Sequence, residues 1–341
     1  VKYQEVDDAH IVPAGYLRGF AKGSMIMRQE VASNRVRKRS VRSVGIRKRA
    51  YSRHRPDGSR IDDVEDAISK LENRVEVLRK AEQRFPFTEE DRSVIAQFAG
   101  AQQVRTPKWA KQYEQQVRSL KSEVDVHGLP RLGSIGSEVV HPALKRETER
   151  LATDTARLLD MQRWLYGFSA LFFAMRWTLI RFPRPILITC DHPVVMWREA
   201  DRAAVPSDNS GIGVEHLLEV RYPLNSQVCL LMTWLEGVDD SEILSGSRAQ
   251  AKNINSFTRA AAELEWFSLP DINPPFSDDR SRLVPLSAEI FGEYAEVRIA
   301  KRRAFGIHLA LKTKNQPLQK HMNFQAFYPG TLKKASPTDS D

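Results

Sequence analysis

Six polar residues stand in apolar surroundings at places where chemistry could be done: His10, Gln102, Arg105, Asp191, His192 and Asn255. His10 lies two residues after Asp7-Asp8 and just before "IVP". Its imidazole titrates near neutrality, which suits a general base or a metal ligand; the alternative is that it caps or buttresses the helix that follows. Arg105 closes "AQQVR", with Gln102 and Gln103 just before it, between two helical stretches. A guanidinium there can bind a phosphate or carboxylate with two parallel hydrogen bonds, or it can satisfy carbonyls at a helix end. Asp191 and His192 sit in "TCDHPV", directly after the apolar run "PILI". Asp191 could hold a metal or orient a histidine, although a two-metal site normally collects several carboxylates. The other reading is a turn, in which Asp accepts backbone N–H groups and Pro193 fixes the corner. Cys190 lies inside the apolar run and reads as an inert buried thiol.

The elements that must position these residues can be read from spacing. Pro13 opens a short helix carrying Tyr16, Leu17 and Phe20. "GSMIMRQE" and "VRSVGIRKRAY" read as strands, the second alternating Val44 and Ile46 with Arg47 and Arg49. Asp62 and Glu65 have capping-box spacing at the head of one long helix, "DDVEDAISKLENRVEVLRKAE". Thr88 and Thr106-Pro107 cap two further helices. A glycine- and proline-containing linker (Gly128 to Gly136) precedes a long helical stretch from His141 to about Ile180. Strands follow at "PILITC", "VVMW", "HLLEVRYPL" and "SQVCLLMTW", and then a helix from about Ser247 to Trp266. Helices and strands are segregated without βαβ alternation. The expected class is therefore α+β: one helix-rich domain, 1–270, around a small and mainly antiparallel sheet. A C-terminal extension, 271–341, ends in a disordered tail.

Composition narrows the function classes. The chain has 341 residues and only two cysteines, Cys190 and Cys229, so a disulfide framework is excluded and a reducing compartment is expected. The first ten residues show no secretory pattern. The most apolar run, Leu165 to Met175, is too short to span a bilayer, and a cytoplasmic protein without a membrane partner is expected. The net charge of +9 is concentrated. Between Arg35 and Arg55 there are ten Lys and Arg residues and no acid, and the remainder is close to neutral. This basic arm, about 31–56, offers Arg37, Arg39, Arg42, Arg47 and Arg49 to phosphates; the alternative is a solvated strand kept soluble by its charge. No Walker loop, dinucleotide fingerprint, CxxC pair, HExxH or GxSxG is present.

Taken in order, several segments resemble a family of uncharacterised bacterial proteins, domain-of-unknown-function family 4238. They are "HIVPAGYLRGFA", "EDAISKLENR", "FTEEDRSVIAQFAGAQQVRTP", "ILITCDHPVV", "YPLNSQVCLLM" and "NSFTRAAAELEWFS", spread over roughly residues 8 to 270. The resemblance implies a single α+β unit and draws attention to His10, Pro13, Arg105, Asp191, Pro193 and Asn255. This chain has Ala14 where the family usually has glutamine, and His192 where it usually has asparagine. His192 is therefore not a residue that the family's chemistry requires. Two functions compete. In the preferred one, a hydrolase acts on nucleic acid or another phosphate ester: His10 is base or ligand, Asp191 ligand or orienter, Arg105 phosphate binder. A divalent metal is then the candidate cofactor. In the alternative, a non-catalytic nucleic-acid-binding or regulatory protein uses the same residues as caps and turns. A small-molecule enzyme is a third possibility.

Overall fold

The computed structural model describes residues 8–48, 53–54, 60–61, 63–127, 145–146, 148–198, 217–233, 243–277 and 285–291. The chain starts with strand β1 (Asp8–His10) and, after Pro13, helix α1 (Ala14–Leu17). Strands β2 (Met25–Glu30) and β3 (Val36–Ser40) form an antiparallel hairpin. The strand expected through "VRSVGIRKRAY" is interrupted. The Ser40 side chain accepts the Arg42 N–H and starts a 3-10 turn at Val41–Ser43. Gly45 then takes φ +65°, where an added Cβ would lie 3.2 Å from the Val12 carbonyl oxygen. Only past this corner does β4 (Ile46–Lys48) form, pairing with β1 so that His10 faces Ile46. Strands β5 (Arg53–His54) and β6 (Arg60–Ile61) make a short separate ladder.

The helical half departs from the expected long first helix, which is broken into α2 (Asp63–Glu72), α3 (Glu76–Arg79) and α4 (Ala81–Arg84). The break turns Val75 against α1, where a Cβ on Gly15 would come within 2.9 Å of its methyl group. Asp62 of the expected capping box lies outside the described residues. The next two helices begin where their caps predicted. Thr88 Oγ1 accepts the Asp91 N–H at 3.1 Å to open α5 (Glu89–Val104). Thr106 Oγ1 accepts the Trp109 N–H, also at 3.1 Å, at the head of α6 (Pro107–His127). Thr153 caps α7 (Asp154–Ala174).

The stretch expected to stay helical to Ile180 changes at Met175 into strand β7 (Arg176–Arg181). Its centre, Trp177 to Ile180, is buried on both faces, so the apolar run carries no alternation to separate strand from helix. After β8 (Thr189–Cys190) come β9 (Val195–Arg198), β10 (Leu217–Pro223), β11 (Val228–Thr233) and β12 (Ile243–Ser245). The helix expected to reach Trp266 stops earlier, as α8 (Arg248–Ala261), and the residues after it form β13 (Glu265–Ser268). Past the expected boundary at 270, residues 273–277 and α9 (Leu286–Phe291) lie against the domain. The C-terminal tail lies outside the described residues.

The α+β class holds, with two principal sheets. One runs β12-β7-β11-β10-β9 and is antiparallel except for β12 beside β7; the other runs β3-β2-β13-β8 and is antiparallel throughout. Period-two geometry sends neighbours on β10 to opposite faces. Tyr222 stacks on Tyr16 of α1, ring centroids 5.5 Å apart, whereas Arg221 lies over Phe257 of α8 at 4.4 Å. The larger sheet is thus covered by helices on both sides. Helices α5 and α7 pack so closely that a Cβ on Gly100 would sit 2.5 Å from Ser169 Oγ and 2.8 Å from the Leu165 carbonyl oxygen. The carbonyl belongs to backbone and cannot step aside. Gly100→Ala should therefore lower stability by about 1–3 kcal/mol, outweighing the roughly 1 kcal/mol of helix propensity that alanine adds. Urea denaturation would show this as a lower midpoint.

Candidate functional site

Asp191 is fully buried where β8 ends. Its Oδ1 accepts the Glu263 N–H at 3.0 Å and its Oδ2 the Leu264 N–H at 2.7 Å. The Asp191 N–H in turn donates to the Glu265 carbonyl at 3.1 Å. The carboxylate therefore captures the backbone between α8 and β13, which is why the helix cannot run on to Trp266. Burial pushes its pKa up to about 6, against the opposing pull of the two backbone N–H groups.

His192 is buried as well, with Nδ1 lacking a hydrogen-bond partner among the described residues. Burial, with help from the Lys108 ammonium, holds its imidazole neutral, with a pKa of about 3. A proton acceptor so depressed is poorly matched to base catalysis near neutrality. Cys190 Sγ donates to the His192 carbonyl at 3.1 Å, and burial raises its thiol well above the ordinary value. Asn255 of α8 accepts the Ile188 N–H at 3.1 Å and donates to the Ile186 and Pro275 carbonyls at 2.9 and 3.3 Å. It fastens the "PILITC" segment to its own helix and to the residues beyond 270.

Arg105, at the C-terminal end of α5, is tied elsewhere. Its Nη1 donates to Glu72 of α2 at 2.7 Å and its Nη2 to the His10 carbonyl. His10 and Arg105 are thus brought together, but through the His10 backbone. No described contact joins the Asp191 carboxylate to either of them. Among the described residues, no group of three or more His, Cys, Asp or Glu side chains is placed to hold a metal ion. Gln102 and Gln103 are buried on α5 just before Arg105. Arg37, Arg39, Arg42 and Arg47 are exposed on or beside β3 and β4, and Arg49 lies outside the described residues.

Sequence reasoning missed a buried charge network on β10. Arg221 Nε donates to Glu219 Oε1 at 2.6 Å, and Arg221 Nη1 donates to Asn253 at 2.8 Å. Glu219 also accepts the Leu286 and Ser287 N–H groups at 2.8 and 2.7 Å, which holds α9 in place. The signal was an acid and a base two apart inside the apolar "LLEVRYPL": in a strand, that spacing puts both on one face.

Two substitutions test this reading of the corner together. Asp191→Asn cannot accept both N–H groups, and it should destabilise the protein at pH 7.5 by about 1–3 kcal/mol. The linkage signs are opposite. The Asp191 pKa is raised on folding, so its contribution is fully present below the unfolded value near 4 and is lost as pH rises through about 6. The His192 pKa is depressed, so its contribution is present above the unfolded value of 6.5 and is lost as pH falls toward about 3. Between pH 6.5 and 4.5, Asp191→Asn should steepen the acid loss of stability and His192→Asn should flatten it, as read by denaturation at a series of pH values.

Compared with known proteins, residues 9–268 match a family described as "Protein of unknown function (DUF4238)". No curated protein and no solved structure matches the chain.

Proposed function

The chain belongs to domain-of-unknown-function family 4238, and from the geometry of its own residues we propose that it is a non-catalytic nucleic-acid-binding protein. The observation that carries this reading is strand β3. It is the edge of its sheet, paired on one side with β2, and Arg37, Lys38 and Arg39 are all exposed. Arg35, Arg42 and Arg47 add exposed positive charge on either side of it. The nearby acid Glu30 has its carboxyl held below the ordinary value by a hydrogen bond from Ser33 and by the charges of Arg28, Arg37 and Arg35. A run of solvated guanidinium groups on a strand edge can neutralise successive phosphates, the dominant contribution to sequence-independent affinity. Interior geometry supports binding over cleavage. Asp191 and Asn255 spend their polar atoms on backbone groups, and Arg105 bridges Glu72 and the His10 carbonyl.

The test is fluorescence anisotropy of labelled single-stranded RNA and duplex DNA over a salt series. Affinity should fall steeply with salt and vary little with sequence. The double substitution Arg37→Ala with Arg39→Ala should weaken binding and reduce the log–log salt slope by about 2 for duplex DNA. Unchanged affinity in that variant would mean that the charges only keep an edge strand soluble. Cleavage that disappears with His10→Ala would restore the hydrolytic reading.

A further inference from the structure

The basic edge of β3 borders an apolar surface that the fold leaves partly open. Among the described residues, the most exposed large apolar side chains are Val36, Leu264 and Val31, at 54, 50 and 45% of full exposure. All three belong to one end of the smaller sheet. Val36 and Trp266 both lie opposite Gln29, so the three stand abreast, and alternation puts them on one face. The Val31 N–H donates to the Leu264 carbonyl at 2.8 Å, which sets that pair beside them. The opposite face belongs to the core, with Ile26 and Phe267 fully buried. On the outer face Met25 and Met27 of β2 are only half-buried. Phe276 covers the Trp266 end, edge-on to that ring at 5.5 Å and itself under the Arg259 guanidinium at 4.2 Å. Lys38 stands opposite Met27 on this same face, and Arg37 and Arg39 line its margin because β3 is the sheet edge.

An apolar face bordered by cations fits a polymer with a charged backbone and apolar side groups. We propose that this face binds single-stranded nucleic acid, with phosphates along β3 and unpaired bases laid against Val36, Met27 and the Phe276–Arg259 pair. The proposal rests on the phosphate-binding reading of β3 and names the class of nucleic acid it takes. A duplex keeps its base faces stacked inside and offers the sheet phosphates and groove edges. A single strand exposes those faces, which bury on aliphatic side chains, aromatic rings and arginine planes. Charge decides against two other occupants. Residues 292–341 carry nine Lys and Arg against four Asp and Glu, and a second copy would set one basic β3 against another. Gln29 and Lys38 decide against a bilayer. They lie amid the apolar surface, where base edges can hydrogen-bond them and a hydrocarbon interior would strip them of water.

The experiment uses the full chain and fluorescence anisotropy with a labelled single strand, the same strand in duplex, and an abasic strand of equal length. Phosphates alone favour the duplex, whose charge is denser, so a preference for the single strand reports the bases. The intact single strand should bind about tenfold or more tighter than either the duplex or the abasic strand. Val36→Ser with Leu264→Ser changes no charge and alters exposed positions, so the protein should keep its Tm. It should weaken single-strand binding about fivefold or more, with duplex affinity and the salt slope unchanged. The proposal is overturned, with the phosphate-binding reading intact, if the three nucleic acids bind equally or if the double substitution weakens all of them alike. Binding of none of them overturns both. Capture of the chain by phosphatidylserine vesicles, lost in the double variant and without any preference among the nucleic acids, assigns the face to lipid and also overturns the proposal.

Discussion

A buried carboxylate must be met by hydrogen-bond donors or it stays protonated. At the end of β8 the donors are the Glu263 and Leu264 backbone N–H groups, both taken by Asp191. That interaction ends α8, turns the chain back and lays β13 between β2 and β8. A second acid completes the joint: Glu265 accepts the Gly45 N–H at 2.8 Å and pairs with Arg28 of β2. The left-handed turn at Gly45 leads into β4, which pairs with β1 and fixes His10, whose carbonyl then receives Arg105. The start of β13, and the route into the helical half, therefore follow from placing two carboxylates against backbone amides.

The larger sheet is organised in the same manner on its other face. Glu219 and Arg221 are almost wholly buried, a placement tolerated because each has several partners. Through Asn253, Phe257 and the first turn of α9, this pair binds β10 to α8 and to residues outside the family match. Phe276 adds to this contact, lying under Arg259 at 4.2 Å and edge-on to Trp266 at 5.5 Å. Polar residues that could have served chemistry thus act largely as fasteners between elements. The exposed charge of β3 stands apart from that role.

Much of the helical half was legible because its signals are local. Thr88 and Thr106-Pro107 announce helix starts through their own side chains and ring, and the structure uses them so. The misread positions are those where distant residues decide. Trp177 to Ile180 is uniformly apolar, and only its pairing with β11 makes it a strand. Ala262 to Trp266 continues a helical pattern, but Asp191, over seventy residues earlier, removes the N–H groups that the helix would need. Val75 breaks the first long helix to reach Gly15. Of the site residues, the turn reading of Asp191 and Pro193 was available from their types. The commitment of Arg105 to Glu72 and to a β1 carbonyl was not, because no local pattern specifies it.

Hydrogen exchange at the Glu263 and Leu264 amides tests the central place of Asp191 most directly. If its carboxylate holds those two groups in the folded core, both amides should exchange only through global unfolding, as slowly as the strand amides of β11. In Asp191→Asn at least one of them should exchange faster by tenfold or more, about 1.4 kcal/mol of lost protection. Rapid exchange of both amides in the unaltered protein, at rates typical of an exposed loop, would contradict the account.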